Sequence, residues 1–176
     1  DSTAKCYYSD NYFAKSAYNY SPSLATMSLS FAMSAFGSSD GGQTDYTNKS
    51  SNARALLKEM GFADENIAVN DWFTKKPTTD SIGVIIGNKP VKVKDEEYTL
   101  IAVAVRGGGY EQEWASNFTI GTSGQHQGFN TAKNNVLSYL KQYISKQGIS
   151  GQVKIWVTGY SRAAATANLK SEAKRS

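Results

Sequence analysis

The stretch that decides the fold is VKIWVTGYSRAAATANL, which runs from Val153 to Leu169. An apolar, β-branched run meets Gly-Tyr-Ser-Arg-Ala, and an alanine-rich segment of high helix propensity follows at once. This order predicts a strand over Val153–Val157, a sharp turn at Ser161 and a helix directly after it. A serine in such a turn is exposed at the tip of a strand, where serine nucleophiles are often presented.

Small residues flank the predicted turn. Gly159 and Ala163 lie two positions before and two positions after Ser161, where a larger side chain would strike the strand or the helix. A helix that begins beneath Ser161 would also direct the positive end of its dipole toward developing negative charge. The alternative is an ordinary strand-to-helix turn without a catalytic role.

The composition indicates one packed domain. The 176 residues are 40% hydrophobic and 12% aromatic, which is typical of a globular chain. The net charge of +4 comes from scattered lysines without an arginine-rich stripe, so nucleic-acid binding is not expected. No apolar run approaches the ~20 residues that a membrane span needs. Because the chain has one cysteine (Cys6) and one histidine (His126), we expect no internal disulfide, thiolate cluster or all-histidine metal site.

Hydrophobic periodicity predicts three further helices. A mostly buried helix is expected from Ser21 to Phe36, and a second from Ser51 to Met60 with Gly61 as its C-terminal stop. A long amphipathic helix is expected over 128–147. The inward face of the first helix is predicted to consist of six residues: Leu24, Met27, Leu29, Ala32, Met33 and Phe36.

Two β-branched runs lie in the middle of the chain. Ile82–Ile86 and Tyr98–Val105, separated by GNKPVKVKDEE, are predicted to form a hairpin or neighbouring strands. In the second half, strand and helix alternate. We therefore expect an α/β fold with a mostly parallel sheet flanked by helices.

A glycine cluster follows the second of these strands, at Arg106-Gly107-Gly108-Gly109. The carboxyl ends of strands are where α/β sheets carry their sites. Glycines there let backbone N–H groups approach a ligand, as an oxyanion hole requires. A plain strand-terminating turn is the alternative, and a phosphate loop is not indicated because no Lys-Ser/Thr pair follows.

The chain resembles the class 3 lipase family of α/β-hydrolases in four segments that follow the family's order: AVRGGG, EWASNF, HQGF and VTGYSRAAATANL. Family members carry an FRGT-like segment, a D-W-x-x-N-like segment, an H-x-G-F segment and a G-H-S-x-G-G elbow. The resemblance covers roughly Ile82 to Leu169. The first predicted helix also resembles the amino-terminal helix of exported bacterial relatives.

The resemblance implies a role for each matching residue. Ser161 resembles the nucleophile, and the backbone N–H groups of Arg162 and Gly108 resemble the oxyanion donors. Supporting roles are implied for five further residues: Arg106, Gly107, His126, Gly159 and Tyr160. Since family members often have Ser or Thr at the place of Gly108, an oxyanion hole here would rely on backbone alone.

His126 allows two interpretations. As the one imidazole in the chain it is a candidate general base, and at the head of the long helix it is equally a candidate structural histidine. In α/β-hydrolases the base follows the nucleophile along the chain, which favours the structural role. The resemblance also implies support of the site's loops rather than a place in the triad.

These observations lead us to expect a serine ester hydrolase of lipase or esterase type, which transfers an acyl group to Ser161 without a cofactor or metal. The family's acid and histidine lie on later strands and loops. Residues 1–176 are therefore expected to be one incomplete domain, inactive alone, with a helical part at 1–60 and the sheet and elbow at 82–176. The alternative is a non-catalytic pseudo-hydrolase that serves as a binding or scaffold domain.

Partners and location follow from the same reasoning. The expected partner is an ester or lipid substrate, and the expected location is extracellular or at a bacterial cell surface. Strands absent from 1–176 would leave a sheet edge beside Val153–Val157. We expect that edge to bind a missing C-terminal segment or to self-associate.

Overall fold

Helices cover both faces of a four-stranded sheet in the described part of the chain. The structure, a computed structural model, describes residues 6–35, 49–73, 82–107, 127–161 and 163–167. The strands, in their order across the sheet, are β1 (Ile67–Val69), β2 (Val84–Val93), β3 (Glu96–Val105) and β4 (Val153–Gly159). The helices are α1 (Pro22–Ala35), α2 (Lys49–Glu59) and α3 (Gln127–Lys146), and residues 163–167 are also helical.

The sheet is mixed, so the expected α/β fold is confirmed but the expectation of mostly parallel strands is wrong for the described residues. β1 and β2 pair antiparallel, β2 and β3 pair antiparallel, and β3 and β4 pair parallel. A two-residue turn joins β2 to β3, with Lys94 at a φ of 56°. Such a short connection makes neighbouring strands antiparallel, whereas the long crossover through α3 makes β3 and β4 parallel.

β2 is longer than the sequence pattern predicted. It continues beyond Ile86 through the segment that we assigned to a connection, and it includes Pro90. β1 pairs only with residues 85–87, so at Pro90 no described strand lies on the side of β2 opposite β3. A strand tolerates a residue without an N–H at such a place. β1 itself was not predicted, because three residues give no measurable period.

Alternate side chains of β3 enter two separate hydrophobic layers. One layer lies under α1 and α2 and contains Leu100, Ala102 and Ala104. The other lies under α3 and contains Ile101, Val103 and Val105. Because β3 is buried on both faces, its sequence is a continuous apolar run rather than an alternation of apolar and polar residues.

The buried face of α1 differs from the predicted one. Met27 is buried as expected, but Leu29 and Met33 are 54% and 46% exposed. Phe31, which was not assigned to the inward face, is fully buried and packs on Trp156 of β4 with ring centroids 5.1 Å apart. This uncharged helix carries apolar residues on several of its faces, so the sequence pattern alone does not identify the buried face. The contact with β4 determines which face is buried.

The predicted limits of the other helices are confirmed to within two residues. α2 ends before Gly61, which has a φ of 86° and acts as the predicted C-terminal stop. α3 buries Val136, Leu140 and Tyr143 against the sheet, which confirms the predicted amphipathic helix.

A buried cation fixes the amino-terminal segment to the sheet. Lys89 Nζ lies 2.6 Å from Asp10 Oδ1 and donates a hydrogen bond of 2.6 Å to the carbonyl of Met60. Tyr8 donates to the same carboxylate oxygen over 2.7 Å. Burial and this hydrogen bond raise the pKa of Tyr8, because both favour the protonated hydroxyl that donates to Asp10.

Trp156 joins β4, α1 and the amino-terminal segment, and its removal is therefore expected to be costly. Its ring lies 5.4 Å from that of Phe13, and its Nε1 donates to Ser28 Oγ over 2.9 Å. We predict that Trp156→Ala lowers the free energy of unfolding by about 3–5 kcal/mol in urea titrations followed by circular dichroism. Trp72→Ala is the matched control: its side chain is 39% exposed, and we expect a loss of about 1 kcal/mol or less. Equal losses in the two variants would contradict this account of the core.

Candidate functional site

Ser161 lies two residues beyond the carboxyl end of β4 in a left-handed backbone conformation. Its φ is 59°, its side chain is exposed, and the helical segment 163–167 begins two residues later. A positive φ is uncommon for a residue with a side chain and costs on the order of 1–3 kcal/mol. Among the described residues, Lys94 in the hairpin turn is the other non-glycine with a positive φ.

The backbone doubles back so tightly at Ser161 that Gly159 meets Ala163. A Cβ at Gly159 would lie 2.6 Å from the carbonyl oxygen of Ala163 and 3.0 Å from the Cβ of that residue. Separations below 3.0 Å between such atoms are not tolerated, so only glycine fits at position 159. Ala163 is fully buried in the layer under α3. The predicted steric reason for small residues on both sides of Ser161 is thus confirmed.

Two turn hydrogen bonds lead from the strand into the helix. The amide of Ala163 donates to the carbonyl of Tyr160 over 3.2 Å, and the amide of Ala164 donates to the carbonyl of Ser161 over 2.9 Å. The amino-terminal end of the helical segment therefore lies immediately beside Ser161, as the sequence predicted.

α1 fastens the end of β4 from the other side. Thr158 Oγ1 donates to the carbonyl of Ser28 over 2.8 Å, and Trp156 donates to the hydroxyl of the same serine. Since both hydrogen bonds join β4 to the same residue of α1, they fix the position of the last residues of the strand before Gly159. The strand end that leads to Ser161 is thus packed and hydrogen-bonded against α1.

The end of β3 lies beside the end of β4. Val105 is the register partner of Gly159, so Arg106 and Gly107 leave β3 next to the point where the chain turns into Ser161. Neighbouring strands are about 4.8 Å apart. The structure therefore brings together the two glycine-bearing strand ends that the sequence singled out separately.

Arg106 is the largest fully buried side chain among the described residues, with 1% exposure. Its amide donates to the carbonyl of Gly83 over 2.8 Å, and its Nη1 donates to the carbonyl of Phe73 over 2.6 Å. Its guanidinium also lies 5.7 Å from the centre of the Phe73 ring. Sequence reasoning gave Arg106 only a supporting role by resemblance. The signal that could have identified this anchor is a charged residue that follows an unbroken apolar run.

The remaining predicted site residues divide into two groups. Tyr160 is described and is 43% exposed beside Ser161, and Gly107 is buried. Three others lie outside the described residues: Gly108, Arg162 and His126. The oxyanion donors and the role of His126 therefore stay predictions.

Further features bear on metals, membranes and partners. Among the described residues, His, Cys, Asp and Glu nowhere form a group of three or more that could hold a metal ion. Within the same ranges, we find no helix with both the length and the apolar character needed to cross a bilayer.

β4 is the last described strand of the sheet, and a cleft of about 700 Å³ lies between it and residues 12–19. Association at this edge stays a prediction.

The left-handed backbone of Ser161 predicts an inverted response to two small substitutions. At a positive φ, glycine is favoured over alanine, so Ser161→Gly should unfold with a free energy about 1 kcal/mol higher than Ser161→Ala. At Ser138, an exposed residue within α3, the order should reverse, because glycine costs about 1 kcal/mol relative to alanine inside a helix. Urea denaturation of the four variants measures both differences. The same order at both positions would contradict the backbone geometry assigned to Ser161.

Comparisons with models of known protein families, with curated proteins and with solved structures give no match. The likeness to class 3 lipases accordingly rests on the four sequence segments quoted above.

Proposed function

We propose that this protein is a serine ester hydrolase of lipase or esterase type, with Ser161 as its nucleophile and an α/β-hydrolase fold. The observation that carries the proposal is the positive φ of Ser161 at the carboxyl end of β4. The exposed side chain of Ser161 gains nothing from packing that would offset this backbone strain. The turn that holds Ser161 also requires glycine at position 159, because a side chain there would clash with Ala163. Strain of this kind is found preferentially at functional sites.

The neighbouring strand end supports the same proposal. Acyl transfer needs two or more donors aimed at the oxygen on which negative charge develops. Arg106 and Gly107 leave β3 beside the turn, because Val105 pairs with Gly159. We assign the donors to the backbone N–H groups of Gly108 and Arg162. In the sequence, Gly108 directly follows Gly107 and Arg162 directly follows Ser161.

The proposed reaction proceeds in two halves. Ser161 Oγ attacks the ester carbonyl carbon while a base takes its proton, and the carbonyl oxygen becomes an oxyanion bound by the two amides. Collapse of the intermediate expels the alcohol, which leaves with that proton. Water then attacks the acyl-serine, giving the carboxylic acid and free Ser161. We assign the proton transfers to the histidine and aspartate that the family carries after the elbow, not to His126.

Hydrolysis of a short-chain nitrophenyl ester by the full-length protein tests this proposal. We predict that Ser161→Ala lowers kcat by at least about 10³-fold, because a nucleophile and its base act as a unit. Ser138→Ala is the matched control, since it removes an exposed serine hydroxyl from the solvent side of α3. It should retain the kcat of the unmodified protein.

Two results would count against the proposal. Equal turnover in Ser161→Ala and the unmodified protein would exclude Ser161 as the nucleophile. Absence of turnover across ester chain lengths in the full-length protein would favour the non-catalytic binding or scaffold domain.

A further inference from the structure

We propose that Arg106 is a positioning residue that sets the backbone beside Ser161 by locking the end of β3 to the turn at Asp71–Phe73. This inference rests on the proposed function, because it concerns the strand end from which the oxyanion donor at Gly108 would extend. It goes further by assigning a role to a buried cation that takes no part in the chemistry.

Arg106 contacts two segments of the chain, the residue before β2 and the turn at Asp71–Phe73. Its amide donates to the carbonyl of Gly83, one residue before β2 begins, over 2.8 Å. Its Nη1 reaches the carbonyl of Phe73 over 2.6 Å, and the guanidinium lies over the ring of that residue. Arg106, the residue directly before Gly107, therefore connects the end of β3 to two separate segments of the chain.

Gly83 supplies the space that this arrangement needs. A Cβ at Gly83 would lie 3.1 Å from Arg106 Nε and 3.1 Å from the Cα of Phe73. The arginine side chain thus passes closely over a glycine before it meets the Phe73 carbonyl. A side chain at this position would require the guanidinium and the turn to shift by a few tenths of an ångström.

Burial of a guanidinium is a costly way to stabilise a strand end. Removing a charged group from water has a desolvation cost that well-packed apolar residues avoid. In return, its planar set of donors fixes direction more strictly than apolar packing does. A misplacement of about 1 Å in a catalytic site can reduce the rate about 10²-fold, so directional anchoring next to an oxyanion donor has a functional benefit.

Kinetics of Arg106→Met and Arg106→Lys in the full-length protein test the inference. We expect Arg106→Met to lower kcat about 10- to 100-fold with KM changed less than about twofold. Arg106→Lys should lose less, because its ammonium group keeps the charge and one donor toward Phe73. Gly83→Ala, which retains Arg106 but displaces its guanidinium, should lower kcat in the same direction.

Tyr143→Phe is the matched control. The hydroxyl of Tyr143 accepts from Asn88 Nδ2 over 2.6 Å and donates to the carbonyl of Asn66, so its loss also removes buried hydrogen bonds. Asn88 pairs with Ile101, four residues before the end of β3 and hence roughly 13 Å from the elbow along the strand. This variant should lower the melting temperature while leaving kcat unchanged. After phosphonylation of Ser161, the ³¹P chemical shift should move in Arg106→Met and stay constant in Tyr143→Phe.

The outcomes separate the inference from the function beneath it. If Ser161→Ala abolishes turnover but Arg106→Met and Gly83→Ala keep the unmodified kcat and ³¹P shift, Arg106 only stabilises the fold and the inference is overturned. The inference is also overturned if Tyr143→Phe lowers kcat as much as Arg106→Met does. If the unmodified protein shows no turnover or labelling that depends on Ser161, the proposed function fails and the inference fails with it.

Discussion

The parallel pairing of β3 with β4 is the constraint on which the rest of the structure depends. It aligns Val105 with Gly159, so that two glycine-bearing segments far apart in sequence leave the sheet side by side. The pairing needs the crossover through α3, because strands joined by a tight turn run antiparallel, as β2 and β3 do. α3 in turn needs the apolar side chains on one face of β3, which are Ile101, Val103 and Val105. The pairing of the strands, the packing of α3 and the geometry of the candidate site therefore depend on one another.

The strain at Ser161 persists because the surroundings leave the turn little freedom. Gly159 and Ala163 are in contact, and the side chains of Thr158 and Trp156 donate hydrogen bonds to Ser28 of α1. The local cost of a left-handed serine, on the order of 1–3 kcal/mol, is smaller than the cost of disturbing this packing. On the β3 side, the buried guanidinium of Arg106 has the corresponding function, since it holds the strand end that faces the turn.

Much of the fold and the outline of the candidate site could be predicted from local patterns. The strand, small-residue turn and helix around Ser161 were predictable because each step has a local steric or periodic cause: the β-branched run, the glycine that no Cβ can replace, and the alanine-rich segment. Features that depend on distant contacts were not. The inward face of α1 was misassigned because Phe31, rather than Leu29, meets Trp156. The full length of β2 was missed because its second half runs through Pro90 and a lysine-rich segment that resembles a connection.

The anchoring of Arg106 shows the same limit at the site itself. Its partners, the carbonyls of Gly83 and Phe73, are backbone groups, and backbone acceptors leave no mark in a sequence. By contrast, each of the two strand ends was singled out separately from local sequence features, and the rule that α/β sheets place their sites at carboxyl ends pointed to the end of β3. Their adjacency comes from the pairing of Val105 with Gly159.

The most direct test of the central claim, that Ser161 is a nucleophile held at the end of β4, is to locate the covalent adduct of a fluorophosphonate probe. The full-length protein would be labelled and digested, and the modified peptide identified by mass spectrometry. We predict a single phosphonyl group on Ser161 and its loss after heat denaturation before labelling. An adduct at another residue, such as the neighbouring exposed Tyr160, or equal labelling of native and unfolded protein would contradict the claim.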